Sequence, residues 1–135
     1  MKVYIAGKLT DDTERQKLEY IASICKNLGF KTFLPHKDVG LYEKIKDVKK
    51  IFEGDINEGF KDCDLVVVSL DGLHIGAGTA WELGFAYANK IPIIGIKTDE
   101  PIADAIEYLS AIIIASTKIV SSFKELEREL KKFNQ

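Results

Sequence analysis

The chain has 135 residues, 46% of them hydrophobic, which is enough for one domain with a substantial core. Its 19 basic and 21 acidic residues leave a net charge of −2, so a basic face for duplex nucleic acid is not expected. No apolar run approaches the roughly 20 residues that span a bilayer, and the opening MKVYIAGKL turns polar too soon for a secretory leader, so the chain reads as soluble and cytoplasmic.

Taken in order, KVYIA (Lys2–Ala6) is a β-rich run ending at Gly7. Residues 11–28 are helical, with Leu18, Ile21, Ala22, Cys25 and Leu28 at three- and four-residue spacing and Gly29 as the stop. Residues 31–34 (KTFL) form a strand ended by Pro35. After a polar loop, residues 41–62 are amphipathic. Ile45, Val48, Phe52, Ile56 and Phe60 keep helical spacing there, and Gly54 and Gly59 allow a break.

Residues 64–70 (DLVVVSL) are continuously apolar, as in a central parallel strand covered on both faces. A glycine turn, His74-Ile75-Gly76-Ala77-Gly78, leads into a helix over residues 79–89. Residues 91–96 (IPIIGI) form a second buried strand, residues 101–111 a helix, residues 118–120 a short fifth strand, and residues 123–133 a charged amphipathic helix. Cys25 and Cys63 both fall in helical patterns and read as two free buried thiols, since they form no CxxC pair.

Five strands alternating with helices predict an α/β fold, a parallel sheet with helices on both faces. Right-handed crossovers favour the flavodoxin-like, Rossmann-like order 2-1-3-4-5. Ligands in such sheets bind beyond the carboxyl ends of the strands. The segments to inspect are therefore 7–10, 35–38, 71–79 and 97–100.

Glu82 follows the glycine turn in an otherwise apolar run. Two readings are open. In the first, Thr79-Ala80-Trp81-Glu82 is a capping box, with Thr79 as N-cap and Glu82 reaching back to it. In the second, Glu82 is a nucleophile beside a ligand that approaches the bare backbone of Gly76 and Gly78. Asp55 reads as an N-cap, a solvated residue or a second acid across the cleft. Asp71 reads as an Asp-Gly turn on the ligand side, and Asp64 as a turn at the opposite edge of the sheet. His36 and His74 fall in ligand-side loops without metal-ligand spacing, so no metal is expected. Paired acids around one cleft suit cleavage of a glycosidic bond.

These residues resemble the nucleoside 2-deoxyribosyltransferase family. The likeness runs from Val3-Tyr4-Ile5-Ala6-Gly7 through Ile51-Phe52-Glu53-Gly54-Asp55 and Asp62-Cys63-Asp64-Leu65-Val66-Val67-Val68. Its most specific part is Gly78-Thr79-Ala80-Trp81-Glu82-Leu83-Gly84-Phe85-Ala86, followed by Lys90-Ile91-Pro92-Ile93-Ile94-Gly95. The resemblance implies Glu82 as the nucleophile that forms a 2-deoxyribosyl–enzyme ester. It implies Asp55 as base contact and proton source, and Tyr4 as the group that orients the nucleophile. No cofactor is implied. The related 2'-deoxynucleoside 5'-monophosphate N-hydrolases share this layout and pass the sugar to water.

At the position six before the nucleophile the transferases usually carry Asp and the hydrolases Ser, whereas this chain has Gly76, a departure that leaves a nucleotide-binding module without catalysis open as an alternative. The Leu109-Ser110-Ala111 stretch is similar to the one through which the hydrolases reach a neighbouring subunit's phosphate, which implies a homodimer or larger assembly. Lys8 and Thr10, after Gly7, are placed to meet a phosphate, together with Gly76, Gly78 and Thr79 of the turn.

Overall fold

The computed structural model describes residues 1–41 and 44–134. Five strands, β1 (Lys2–Ala6), β2 (Lys31–Phe33), β3 (Leu65–Ser69), β4 (Ile93–Ile96) and β5 (Lys118–Val120), form one all-parallel sheet in the order β2-β1-β3-β4-β5. This is the 2-1-3-4-5 order expected from the alternation of elements.

Register explains which side chains reach the ligand side. Tyr4 pairs with Val66 and Ala6 with Val68, so these four share one face, while Val3, Ile5, Leu65 and Val67 point to the other. The second face packs on α1 (Asp12–Asn27) and α7 (Phe123–Phe133) through Leu18, Ile21, Leu126 and Leu130. Both helices begin at side-chain caps, Asp11 accepting from the Glu14 N–H and Ser122 from the Glu125 N–H.

On the Tyr4 face lie α3 (Val48–Phe52), α4 (Ala77–Ala88), α5 (Ile102–Ala105) and α6 (Ala111–Ser116), while α2 (Pro35–Asp38) follows β2 with His36 and Lys37 beside Glu19 of α1. Ile56, Phe60, Leu83, Ala86, Ala105 and Leu109 bury this side of the sheet. Cys25 is buried and Cys63 half-buried, both free. Among the described residues, no helix is long and apolar enough to cross a membrane.

Three expectations are corrected. The amphipathic stretch 41–62, of which residues 42 and 43 lie outside the described residues, is not one α-helix. A 3-10 turn (Ile45–Asp47) enters α3, which continues as a π-helical segment, Glu53–Glu58. The helix expected over 101–111 is only the short α5, which ends at Ala105 and gives way to turns; α6 starts anew at Ala111, where Ser110, with φ +71, caps it by accepting from the Ile112 N–H. Helix α4 begins at Ala77, two residues earlier than Thr79, with Gly76 as N-cap and no side-chain cap. The capping-box reading of Thr79 and Glu82 therefore fails. Thr79 sits buried inside the first turn, and Glu82 lies a turn further on, aimed at the sheet.

Candidate active site

Helix α4 and the π-helical segment face each other on the Tyr4 side of the sheet. Between them is an open cleft of about 480 Å³ lined by Asp55, Glu82, Gly78, Phe52, Ile51 and Trp81, with Val48, Ile56 and Ala77 completing it. Among the described residues, the two acids are its only ionisable side chains. Glu82 accepts a hydrogen bond from the Tyr4 hydroxyl, which reaches it from the centre of β1. Asp55 Oδ1 is buried and has no hydrogen-bond partner among the described residues.

The electrostatics follow from burial. Burial pushes the Glu82 carboxyl up to about 7; the Tyr4 hydrogen bond pulls it down and the nearby Asp55 charge pushes it up. Burial alone pushes Asp55 up to about 6. The Tyr4 phenol, buried and facing Glu82 and Asp55, is pushed far above its usual range, so it stays a donor. Two carboxyls that interact share their titration. Between those two values the pair holds about one proton, one acid charged and one protonated.

Aromatic packing fixes this geometry. The Tyr4 ring is stacked between Phe33 at 5.4 Å and Phe60 at 4.1 Å, centroid to centroid. Phe60 then meets Phe85, Phe85 stacks on Trp81 at 5.7 Å, and Trp81 meets Phe52 edge-on at 5.8 Å. Trp81 and Phe52 are each about half exposed at the mouth, 51% and 49%, and offer flat apolar walls for a planar ring.

The sequence-derived residues fall into two groups. Glu82, Asp55, Tyr4 and Gly78 meet at the cleft, and Gly76 opens α4 beside it with φ +87, a conformation that excludes most side chains. Gly7, Lys8, Thr79 and Ser110 do not line it. Gly7 lies against Leu18 of α1, and Thr79 is in the core.

Lys8 pairs with Glu14 at 3.5 Å beside a second, smaller cavity of about 200 Å³ on the α1 side. Ser110 is exposed at the start of α6. His36 is turned inward beside Glu19, 6% exposed, and His74 is exposed. Among the described residues, no group of three or more His, Cys, Asp or Glu side chains is arranged to hold a metal ion.

A family model described as nucleoside 2-deoxyribosyltransferase matches residues 3–128. The chain belongs to the nucleoside 2-deoxyribosyltransferase family. It is an enzyme of that kind, a transferase or hydrolase acting on N-glycosidic bonds.

Among solved structures it is similar to a conserved protein from Enterococcus faecalis V583, at 29% identity and TM-score 0.79, covering 98% of both chains. The fold is also shared with a 2-deoxyribosyltransferase from Bacillus psychrosaccharolyticus (21% identity, TM-score 0.68, 94% of this chain and 90% of that one). A CMP N-glycosidase from Clostridium botulinum shares it too (18% identity, TM-score 0.54, 100% of both chains). No curated protein matches the chain.

Within the family's shared run, sequence reasoning passed over Trp81 and Phe52 as cleft walls. Both were visible as aromatic side chains next to the proposed acids. Helical spacing marked Phe52 and Val48 only as part of the apolar stripe of an amphipathic stretch.

Proposed function

We propose that the enzyme cleaves the N-glycosidic bond of 2'-deoxynucleosides and transfers the 2-deoxyribosyl group to a second nucleobase, with Glu82 as nucleophile. The observation that carries this reading is the placement of two acids on separate elements across one apolar cleft, one of them held by a buried phenol.

Glu82 attacks C1' as the C1'–N bond breaks, and the bonding electron pair leaves with the base. Asp55 gives its proton to that base, and the tyrosine hydrogen bond favours negative charge on Glu82. A bound ring nitrogen accepts from Asp55 and so selects the form protonated there, although burial alone pushes Glu82 the higher of the two. The sugar then rests as an ester on Glu82. An incoming base attacks C1', the ester bond breaks, and Asp55 takes up the proton the new base loses.

A second reading is hydrolysis of 2'-deoxynucleoside 5'-monophosphates, with water as acceptor. It is favoured by Gly76, whose φ of +87 leaves backbone and no carboxylate on that side of the turn, so nothing there repels a phosphate. In either case the groove between α4 and α6, with Tyr87 and Ile112 exposed beside it, is read as the contact with a second copy. That contact would bring Ser110 toward the neighbouring cleft.

Base release is followed by chromatography with each deoxynucleoside and its monophosphate, with and without a second base. Exchange that requires the second base supports transfer; release without it from monophosphates supports hydrolysis. Glu82→Ala is expected to lose at least about 10³-fold in rate. A loss under about tenfold removes Glu82 as nucleophile.

A further inference from the structure

The π-helical segment carries Asp55 and ends at Gly59, whose φ of −61 and ψ of −43 are ordinary helical angles open to any residue. Gly59 is therefore not needed for backbone freedom. It is needed for space: a Cβ there would run into the backbone carbonyl oxygen of Asp55 and lie 2.6 Å from Cε2 of Tyr4 and 2.8 Å from Cε1 of Phe33, well inside van der Waals contact. The backbone below Asp55 rests directly on the ring whose hydroxyl holds Glu82. The next residue, Phe60, stacks on the same ring at 4.1 Å. The two acids are thus joined by one short path, from Asp55 along its own segment to Gly59, onto the Tyr4 ring, and through the phenol to Glu82.

We propose that Gly59 is a positioning residue, whose missing side chain sets the separation of Asp55 and Glu82 through the Tyr4 ring. This rests on the assignment of Glu82 and Asp55 to the reaction. A methyl group at position 59 must push away the Asp55 carbonyl on one side and the Tyr4 ring on the other, and either movement changes the spacing of the acids. A shift of about 1 Å in such a pair costs on the order of 10²-fold in rate. The Trp81 wall stands on α4, out of reach of position 59, so the loss is expected mainly in the chemical step.

The test is a double-mutant cycle of Gly59→Ala and Tyr4→Phe, read as kcat and KM separately, with a melting curve for each variant. Gly59→Ala is expected to lower kcat about 10- to 100-fold and to change KM by less than about threefold. In the cycle the two losses fall well short of multiplying, because both act on the same link. Phe60→Leu loosens the ring without adding bulk; it is expected to lower kcat in the same direction, and it replaces Gly59→Ala if that variant does not fold.

A readout independent of turnover is the Tyr4 phenol proton by NMR, identified by its loss in Tyr4→Phe. It is expected to move in Gly59→Ala. A kcat within about threefold of the parent, losses that multiply as independent effects, or an unmoved phenol proton overturns the proposal. A parent enzyme without Glu82-dependent base release, but with a phenol proton that moves, removes the catalytic reading and leaves the mechanical link.

Discussion

Tyr4, at the centre of β1, donates its hydroxyl to Glu82 in the second turn of α4. The carboxylate is therefore oriented by the sheet rather than by its own helix terminus. A hydrogen bond to a charged group contributes about 1.5–3 kcal/mol. Tyr4→Phe is expected to lower kcat/KM about 10- to 100-fold with little change in fold, since the ring stays between Phe33 and Phe60. Steady-state kinetics beside a circular dichroism spectrum check this. A variant as active as the parent would show that the phenol orients nothing in the reaction.

The pH dependence follows from the two raised carboxyls, Asp55 near 6 and Glu82 near 7. Below both values the pair is fully protonated and lacks a nucleophile. Above both it is fully charged and lacks a proton donor. The profile of kcat/KM is expected to be a narrow bell with its maximum between these values. In Tyr4→Phe the hydrogen bond that pulls Glu82 down is gone, so the bell moves to higher pH. A flat profile from pH 5 to 8 would count against a reaction that needs one proton on the pair.

The sheet order could be read before any coordinates because the strands differ so clearly in character. Residues 64–70 are apolar without alternation, and β3 is buried on both faces as that pattern requires. Residues 41–62 were harder to read, because helical spacing treats every stripe as core. Ile56 and Phe60 do enter the core, whereas Val48 and Phe52 of the same stripe are exposed at a cleft. Only the position of α4 across the gap makes that difference. Glu82 could be singled out as an isolated acid in an apolar run, whereas its partner Tyr4 came only from the family resemblance. Tyr4 is 78 positions away in sequence, and residue spacing alone does not show that strand register brings it to the same face.

The exposed Trp81 ring is expected to act on binding. Stacking of a base on an aromatic side chain is worth about 1–3 kcal/mol. Trp81→Ala should raise KM about 10- to 100-fold and leave kcat within about threefold for a good substrate. Trp81 also stacks on Phe85 at 5.7 Å, so Trp81→Phe keeps a flat wall and is expected to recover most of the affinity. Loss of kcat at constant KM in Trp81→Ala would place the ring in the chemistry rather than in binding.

Asp55 is expected to cost stability at neutral pH. Its folded-state pKa, near 6, lies above its ordinary value of 3.8, so the folded chain holds the extra proton between those values. Stability therefore falls as pH rises through that window and stays low above it. Asp55→Asn removes the buried charge and keeps the shape. The variant should be more stable than the parent at pH 8, on the order of 1–2 kcal/mol, while losing most activity. Near pH 4 the gap should close, since Asp55 is then largely neutral. Urea melts at the two pH values check the sign; a variant less stable than the parent at pH 8 would mean that the charge is favourably solvated.

Asp71 at the end of β3 does more than shape a turn. Its carboxylate accepts from the Thr98 N–H and Oγ1, both at 2.6 Å, and from Lys17 Nζ at 2.7 Å. In return Asp99 accepts from the Gly72 N–H at 2.8 Å and from the buried Lys97 at 2.7 Å. The loops after β3 and β4 are thus clasped in both directions, and the first of them leads to Gly76. The Asp71 side chain is only 8% exposed, but its donors, on the exposed Thr98 and the part-exposed Lys17, can turn to water in Asp71→Ala. The expected cost is about 1–2 kcal/mol, or roughly 5 °C in melting temperature for a chain of this size. Asp71→Asn keeps an acceptor and should cost less. An unchanged melting temperature in Asp71→Ala would mean that the two loops are held by something other than this carboxylate.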